Sequence, residues 1–85
     1  MEIVILPVAE EQLAYWKKTG NKIVLKRISI LVRAITEDPF HGIGKPEPLK
    51  HQLSGKWSRR IDLENRLVYT ISNKILYIYS VKGHY

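Results

Sequence analysis

Seven side chains in this sequence could together act on a phosphodiester: Glu47, Lys50, Arg59, Arg60, Arg66, His84 and Tyr85. Glu47 lies in Lys45-Pro46-Glu47-Pro48, where the two prolines restrict the backbone and limit the directions its carboxylate can face. A carboxylate held that way is a candidate general base, although an isolated loop glutamate is more commonly just solvated. Arg59, Arg60 and Arg66 fall on adjacent predicted strands with Lys50 nearby. Guanidinium groups stay charged and bind phosphate oxygens bidentately, so this grouping suits a phosphate site better than a set of surface ion pairs, which contribute little. His84 carries the side chain best suited to proton transfer near neutral pH, and Tyr85 could stack on a base or orient it. Such a set meets the needs of metal-free RNA cleavage. A base takes the proton of the ribose 2′-hydroxyl, cations stabilise the charge gathering on phosphorus, and an acid protonates the departing 5′ oxygen.

Other chemistries fit less well. His41, His51 and His84 have no zinc-ligand spacing and there is no cysteine, so neither a metal nor a cofactor is expected. Ser54, Ser58 and Ser80 read as turn or strand residues, not as nucleophiles on a strained elbow. Gly42-x-Gly44 follows a helix instead of a strand, unlike a phosphate-cradling loop.

These residues need elements to hold them. Residues 2–6 are apolar and β-branched and read as a short strand, after which Pro7 is a natural first helical residue. Ala9, Leu13 and Trp16 make the buried stripe of a first helix that ends before Gly20. Asn21 is a cap for a second helix, whose stripe is Val24, Ile28, Leu31 and Ile35, widened by Leu25 and Val32. Asp38-Pro39 ends that helix, and the short connection makes the pair an αα-hairpin. Residues 39–56 hold three of the four prolines and three of the five glycines, which predicts a long stiffened loop with a short extended piece near residues 49–53. Strands follow over 57–62, 66–71 and 75–81, the last two joined by a Ser72-Asn73-Lys74 turn. Alternation in the first of these places Trp57, Arg59 and Ile61 on one face and Ser58, Arg60 and Asp62 on the other. Because the final strand reads as buried, His84 and Tyr85 are either carried into a site on a rigid element or form a disordered tail. The expected fold is α+β, with two N-terminal helices on one face of a small, mostly antiparallel sheet and the opposite face partly open.

At 85 residues the chain is expected to be one domain, residues 1–85, without internal repeats. Its longest apolar runs are too short for a membrane span, and residues 1–6 lack the pattern of a signal peptide. The absence of cysteine fits a reducing compartment, among others. The net charge of +6 is uneven: residues 1–44 contribute +1 and residues 45–85 contribute +5. A basic second half points to a polyanionic partner, and nucleic acid is favoured over a membrane surface because no long basic amphipathic helix accompanies it.

The run from Lys45 to Ile61 (Lys-Pro-Glu-Pro-Leu-Lys-His-Gln-Leu-Ser-Gly-Lys-Trp-Ser-Arg-Arg-Ile), the Arg66-Leu67-Val68-Tyr69 segment and the final His84-Tyr85 closely resemble the YoeB (Txe) toxins, a branch of the RelE superfamily of bacterial toxin-antitoxin systems. The resemblance spans nearly the whole chain. It implies a microbial-RNase-like (RelE-like) α+β fold and a ribosome-dependent mRNA endoribonuclease, an mRNA interferase that cuts in the ribosomal A site and so inhibits translation. It also implies a cytoplasmic homodimer silenced by a YefM-type antitoxin. Carried over motif by motif, Glu47 would be the general base, Arg66 the phosphate stabiliser, and His84 the general acid assisted by Tyr85. Lys50, Arg59 and Arg60 are then expected to bind RNA or the ribosome. The sequence departs from relatives at Asn65, where His is frequent, and at Gly83, whose freedom would loosen the tail. A reading from another class is a non-catalytic RNA- or ribosome-binding module acting by occupancy. Such a module would gain nothing from a carboxylate that repels phosphate.

Overall fold

The computed structural model describes residues 1–83. In chain order the elements are strand β1 (Glu2–Ile5), helices α1 (Pro7–Lys18) and α2 (Lys22–Glu37), then strands β2 (Glu47–Pro48), β3 (Trp57–Arg60), β4 (Arg66–Ser72) and β5 (Ile75–Ser80). The strands form one sheet in the order β1-β5-β4-β3-β2, with β1 parallel to β5 and every other pair antiparallel.

Local chemistry accounts for the boundaries. Pro7 opens α1, where its missing N–H costs nothing, and Lys17 and Lys18 occupy the negative last turn. The Asn21 side chain accepts a hydrogen bond from the Val24 N–H at 3.1 Å and so caps α2. Asn73 and Lys74 both have positive φ, 51° and 63°, which makes the β4–β5 connection a two-residue turn of the type that follows strand twist.

The two helices cover one face of the sheet. Ala9 and Trp16 of α1 and Val24, Ile28, Leu31 and Ile35 of α2 pack with Leu67, Tyr69, Leu76 and Ile78 of the sheet. Burying one such large aliphatic side chain stabilises by roughly 1.5–3 kcal/mol, and the helical stripes and the sheet contribute to this core together. Polar contacts tie α1 to the end of β5: Trp16 Nε1 donates to the Val81 carbonyl at 3.0 Å, and the Val81 N–H donates to Gln12 Oε1 at 2.7 Å.

Two details differ from expectation. The extended piece in the loop is Glu47–Pro48, earlier than residues 49–53, and His51–Leu53 form a 3₁₀ turn. Pro48 fits because β2 is an edge strand, where a missing N–H breaks no ladder. The β4–β5 register also slips: Tyr69 faces Ile78 but Val68 faces Ser80, so Tyr79 is an extra residue that bends the end of β5.

Candidate active site

Strand register decides which charged residues meet. Glu47 pairs with Ser58, Ser58 pairs with Val68, and Arg66 lies two positions before Val68 on β4. Opposed residues in an antiparallel ladder share a face, so Glu47, Arg60 and Arg66 all stand on the face away from the helices. Arg66 Nη1 donates to Glu47 Oε1 at 3.1 Å, joining residues 19 positions apart in the chain. The Glu47 side chain is 53% exposed and that of Arg66 is 21% exposed. A pair this open to solvent is worth about 0–1 kcal/mol, so either partner can be diverted to a ligand at small cost. Arg60 is exposed and sits directly opposite Arg66. Like charges so placed destabilise a ladder unless an anion lies between or beside them. Glu47 partly supplies that anion, and a phosphate would supply it more fully.

Several constraints aim Glu47. The Gly44 carbonyl accepts from the Arg60 N–H at 2.7 Å, which lays the loop along β3 just before Lys45. Gly44 has φ +83°, and a Cβ there would stand 2.8 Å from Leu31 Cδ2 and 3.1 Å from Arg59 Cβ. Only glycine lets the chain pass that closely, and the prolines at 46 and 48 then direct it into β2.

Arg59 is a correction to the expected RNA-binding set. Its side chain is fully buried, not offered to a ligand. Nε donates to the Tyr69 hydroxyl at 3.3 Å, Nη1 to the Ile43 carbonyl at 3.2 Å, and Nη2 to the carbonyls of Asp38 and His41 at 2.6 and 2.9 Å. The Tyr69 hydroxyl in turn donates to the Pro39 carbonyl at 2.6 Å. A buried cation is tolerated because its N–H groups are satisfied, and here they fasten the 38–44 loop to the sheet. Burial pushes the Tyr69 hydroxyl above the usual tyrosine range, against the opposing pull of Arg59. The sequence signal for this was the alternation that set Arg59 with Trp57 and Ile61, on the inward face.

Lys50 is exposed, two residues after β2 and just before the 3₁₀ turn. Lys56 Nζ stands 4.8 Å from the centre of the Tyr79 ring. His84 and Tyr85 lie outside the described residues. Up to Gly83 the chain is held firmly: the Gly83 N–H donates to Asn65 Oδ1 at 2.8 Å, and its carbonyl accepts from the Arg66 N–H at 2.9 Å. The freedom that a glycine brings is therefore used up at this position, and Asn65, which sequence reasoning treated only as a departure, is the residue that uses it. Among the described residues no group of three His, Cys, Asp or Glu side chains is arranged to hold a metal.

A sequence model described as the YoeB-like toxin of bacterial type II toxin-antitoxin systems matches residues 7–85. The chain belongs to this family. A Synechocystis protein named Toxin YoeB is 59% identical over 70 residues, covering 82% of this chain and 81% of that protein. The YoeB-YefM complex from Staphylococcus aureus contains a chain that superposes with TM-score 0.90 at 42% identity, covering 100% of this chain and 98% of its own. The YoeB dimer from the same organism superposes with TM-score 0.91 at 41% identity, with the same coverage. The α+β architecture is thus shared with the YoeB chains of S. aureus, and this chain is a YoeB-like toxin of a type II toxin-antitoxin system.

Proposed function

We propose that this chain is a ribosome-dependent endoribonuclease, an mRNA interferase that cleaves mRNA in the A site by general acid-base catalysis without a metal and so arrests translation. The observation that supports it most is the contact between Glu47 and Arg66 on the open, basic face of the sheet. Glu47 takes the proton of a ribose 2′-hydroxyl, the 2′ oxygen attacks phosphorus, and the bond to the 5′ oxygen breaks. Arg66, released from its weak pairing with Glu47, stabilises the charge on the equatorial oxygens. His84, with Tyr85 assisting, gives the leaving 5′ oxygen its proton, leaving a 2′,3′-cyclic phosphate and a 5′-hydroxyl. Lys50 and Arg60 bind the flanking phosphates.

The family resemblance adds the partners: the ribosome with its mRNA, a YefM-type antitoxin, a second copy of the chain, and the cytoplasm as the place of action. The S. aureus toxin solved with YefM and as a dimer supports the antitoxin and the homodimer. No helix among the described residues is long and apolar enough to cross a membrane. Primer extension on mRNA after brief expression tests the reading. New 5′ ends inside codons are expected for the native sequence and not for Glu47→Ala, whose loss of base should cost ~10²- to 10⁴-fold in cleavage. Ribosome stalling without breaks would replace the interferase by an occupancy inhibitor.

A further inference from the structure

Asn65 and Asp62 form a latch that no catalytic role above requires. Asp62 Oδ1 accepts from the N–H groups of Glu64 and Asn65 at 2.9 and 2.7 Å, closing the tight turn between β3 and β4. Asn65 Nδ2 donates to both Asp62 carboxylate oxygens, at 3.0 and 3.2 Å. The carboxylate can only accept and the Gly83 N–H can only donate, so the Asn65 amide has a single orientation, with Oδ1 on Gly83 at 2.8 Å. The neighbouring Arg66 N–H holds the Gly83 carbonyl at 2.9 Å. Both polar groups of the Gly83 backbone are therefore fixed from adjacent residues, one of which carries the phosphate-stabilising guanidinium. Two residues earlier, α1 fixes Val81 through Gln12 and Trp16. Asn65 is itself only 8% exposed, and a Cβ on Gly83 would meet nothing, so glycine is needed there for its φ of +75° and not for space.

We propose that Asn65, oriented by Asp62, is a positioning residue that sets the exit of the chain from Gly83 and thereby the placement of the general acid relative to Arg66. This rests on the proposed function, since it assigns Asn65 a part in aiming His84. Glu47 needs no such latch, because its own strand and prolines aim it.

Asn65→Leu keeps the size and removes the acceptor; Asn65→Asp together with Asp62→Asn keeps an acceptor for Gly83 and restores a donor–acceptor pair between the two side chains without opposing carboxylates. In single-turnover cleavage of mRNA on ribosomes, Asn65→Leu should lower the saturated rate about 10- to 100-fold, with the half-saturating ribosome concentration unchanged within about twofold. The Asp62→Asn/Asn65→Asp double variant should recover part of that loss. In parallel, amide hydrogen exchange of the full chain should find the Gly83 N–H protected in the native sequence and unprotected in Asn65→Leu. A native Gly83 amide that exchanges as fast as a free chain end overturns the latch, whatever the variants do. So does full-rate cleavage by Asn65→Leu. If Asn65→Leu and the Asp62→Asn/Asn65→Asp double variant lose activity equally and only through unfolding, the role is structural and the positioning claim fails. A native protein that cleaves nothing overturns the interferase reading and the aiming of an acid with it, while the Gly83 amide still decides the latch on its own.

Discussion

At the residue scale, two arginines one position apart in the sequence have opposite uses. Arg60 points to solvent beside Arg66, whereas Arg59 is buried and spends its donors on loop carbonyls and Tyr69. Arg59→Ala should leave those carbonyls without their partner at about 1–3 kcal/mol for each one that water cannot reach. A total near 2 kcal/mol corresponds to a drop in melting temperature of roughly 8–16 °C in a domain of this size, and thermal denaturation reads it. Arg60→Ala should move the melting temperature little while weakening ribosome affinity. Equal melting temperatures for the two variants would remove Arg59 from its structural place. Arg66 belongs to neither class. Its charge matters most when phosphorus gains charge, so Arg66→Ala should lower the saturated single-turnover rate more than the affinity; weaker binding at an unchanged rate would contradict that. The sequence made Glu47 and Arg66 legible through the prolines and the strand start, but not their contact, which depends on a register across β3. Nor did it make the fate of Arg59 explicit. Its inward position was readable from the alternation, but four acceptors waiting there were not, because they come from a loop and from a tyrosine on another strand.

At the element scale, the helices were readable almost to the residue, since apolar spacing, Pro7 and the Asn21 cap all agree. The β4–β5 hairpin was readable from Ser72-Asn73-Lys74. Strand β2 was harder: two residues carry no period, and its position is set by what β3 offers as an edge and by Gly44 packing against Leu31. The β3–β4 turn depends on charge in a way that pH can reveal. Burial raises the Asp62 carboxyl, but bonds from the Glu64 N–H, the Asn65 side chain and the Asn65 N–H outweigh it and hold it below its ordinary value of 3.8. The unfolded chain therefore binds more protons than the folded one in this range, and stability falls as pH falls. Asp62 contributes fully above about pH 5, and that contribution is lost as pH drops through 3.8 and then through the lower folded value. Asp38 acts with the same sign, through the Phe40 N–H and His41. Melting temperatures of the native protein and Asp62→Asn should accordingly converge on acidification from pH 7 to pH 3, by roughly the loss that the aspartate alone undergoes. A constant separation across that range would mean that the Asp62 charge contributes nothing to the turn.

At the scale of the whole molecule, the charge asymmetry of the sequence maps onto the layers of the fold. Residues 1–44, with net charge +1, supply both helices and only the parallel edge strand; residues 45–85, with +5, supply the other four strands. The helices close one face of the sheet with apolar side chains, so the exposed Arg60 of β3 and the half-buried Arg66 of β4 are left on the other. A polyanion approaching that face meets Arg60 and Arg66 together with one carboxylate, Glu47, and Lys50 follows two residues after the edge strand. The carboxylate weakens ground-state attraction to phosphate. Under the proposed function its place there makes sense, because proton removal is then worth more than the repulsion costs. The same layout implies that affinity and rate respond differently to ionic strength. Each phosphate neutralised by a lysine or arginine releases counterions, so affinity for ribosome-bound mRNA should fall steeply with salt, whereas the saturated cleavage rate should change little. Lys50→Ala and Arg60→Ala should each lower the slope of log affinity against log salt by about 1, whereas Arg59→Met, buried and facing the loop, should leave the slope as it is. Titrating the ribosome against each protein at several salt concentrations measures all three slopes. An Arg59→Met slope reduced as much as that of Arg60→Ala, in a protein shown to be folded, would return the buried arginine to the RNA-binding set and require the 38–44 loop to open when RNA binds.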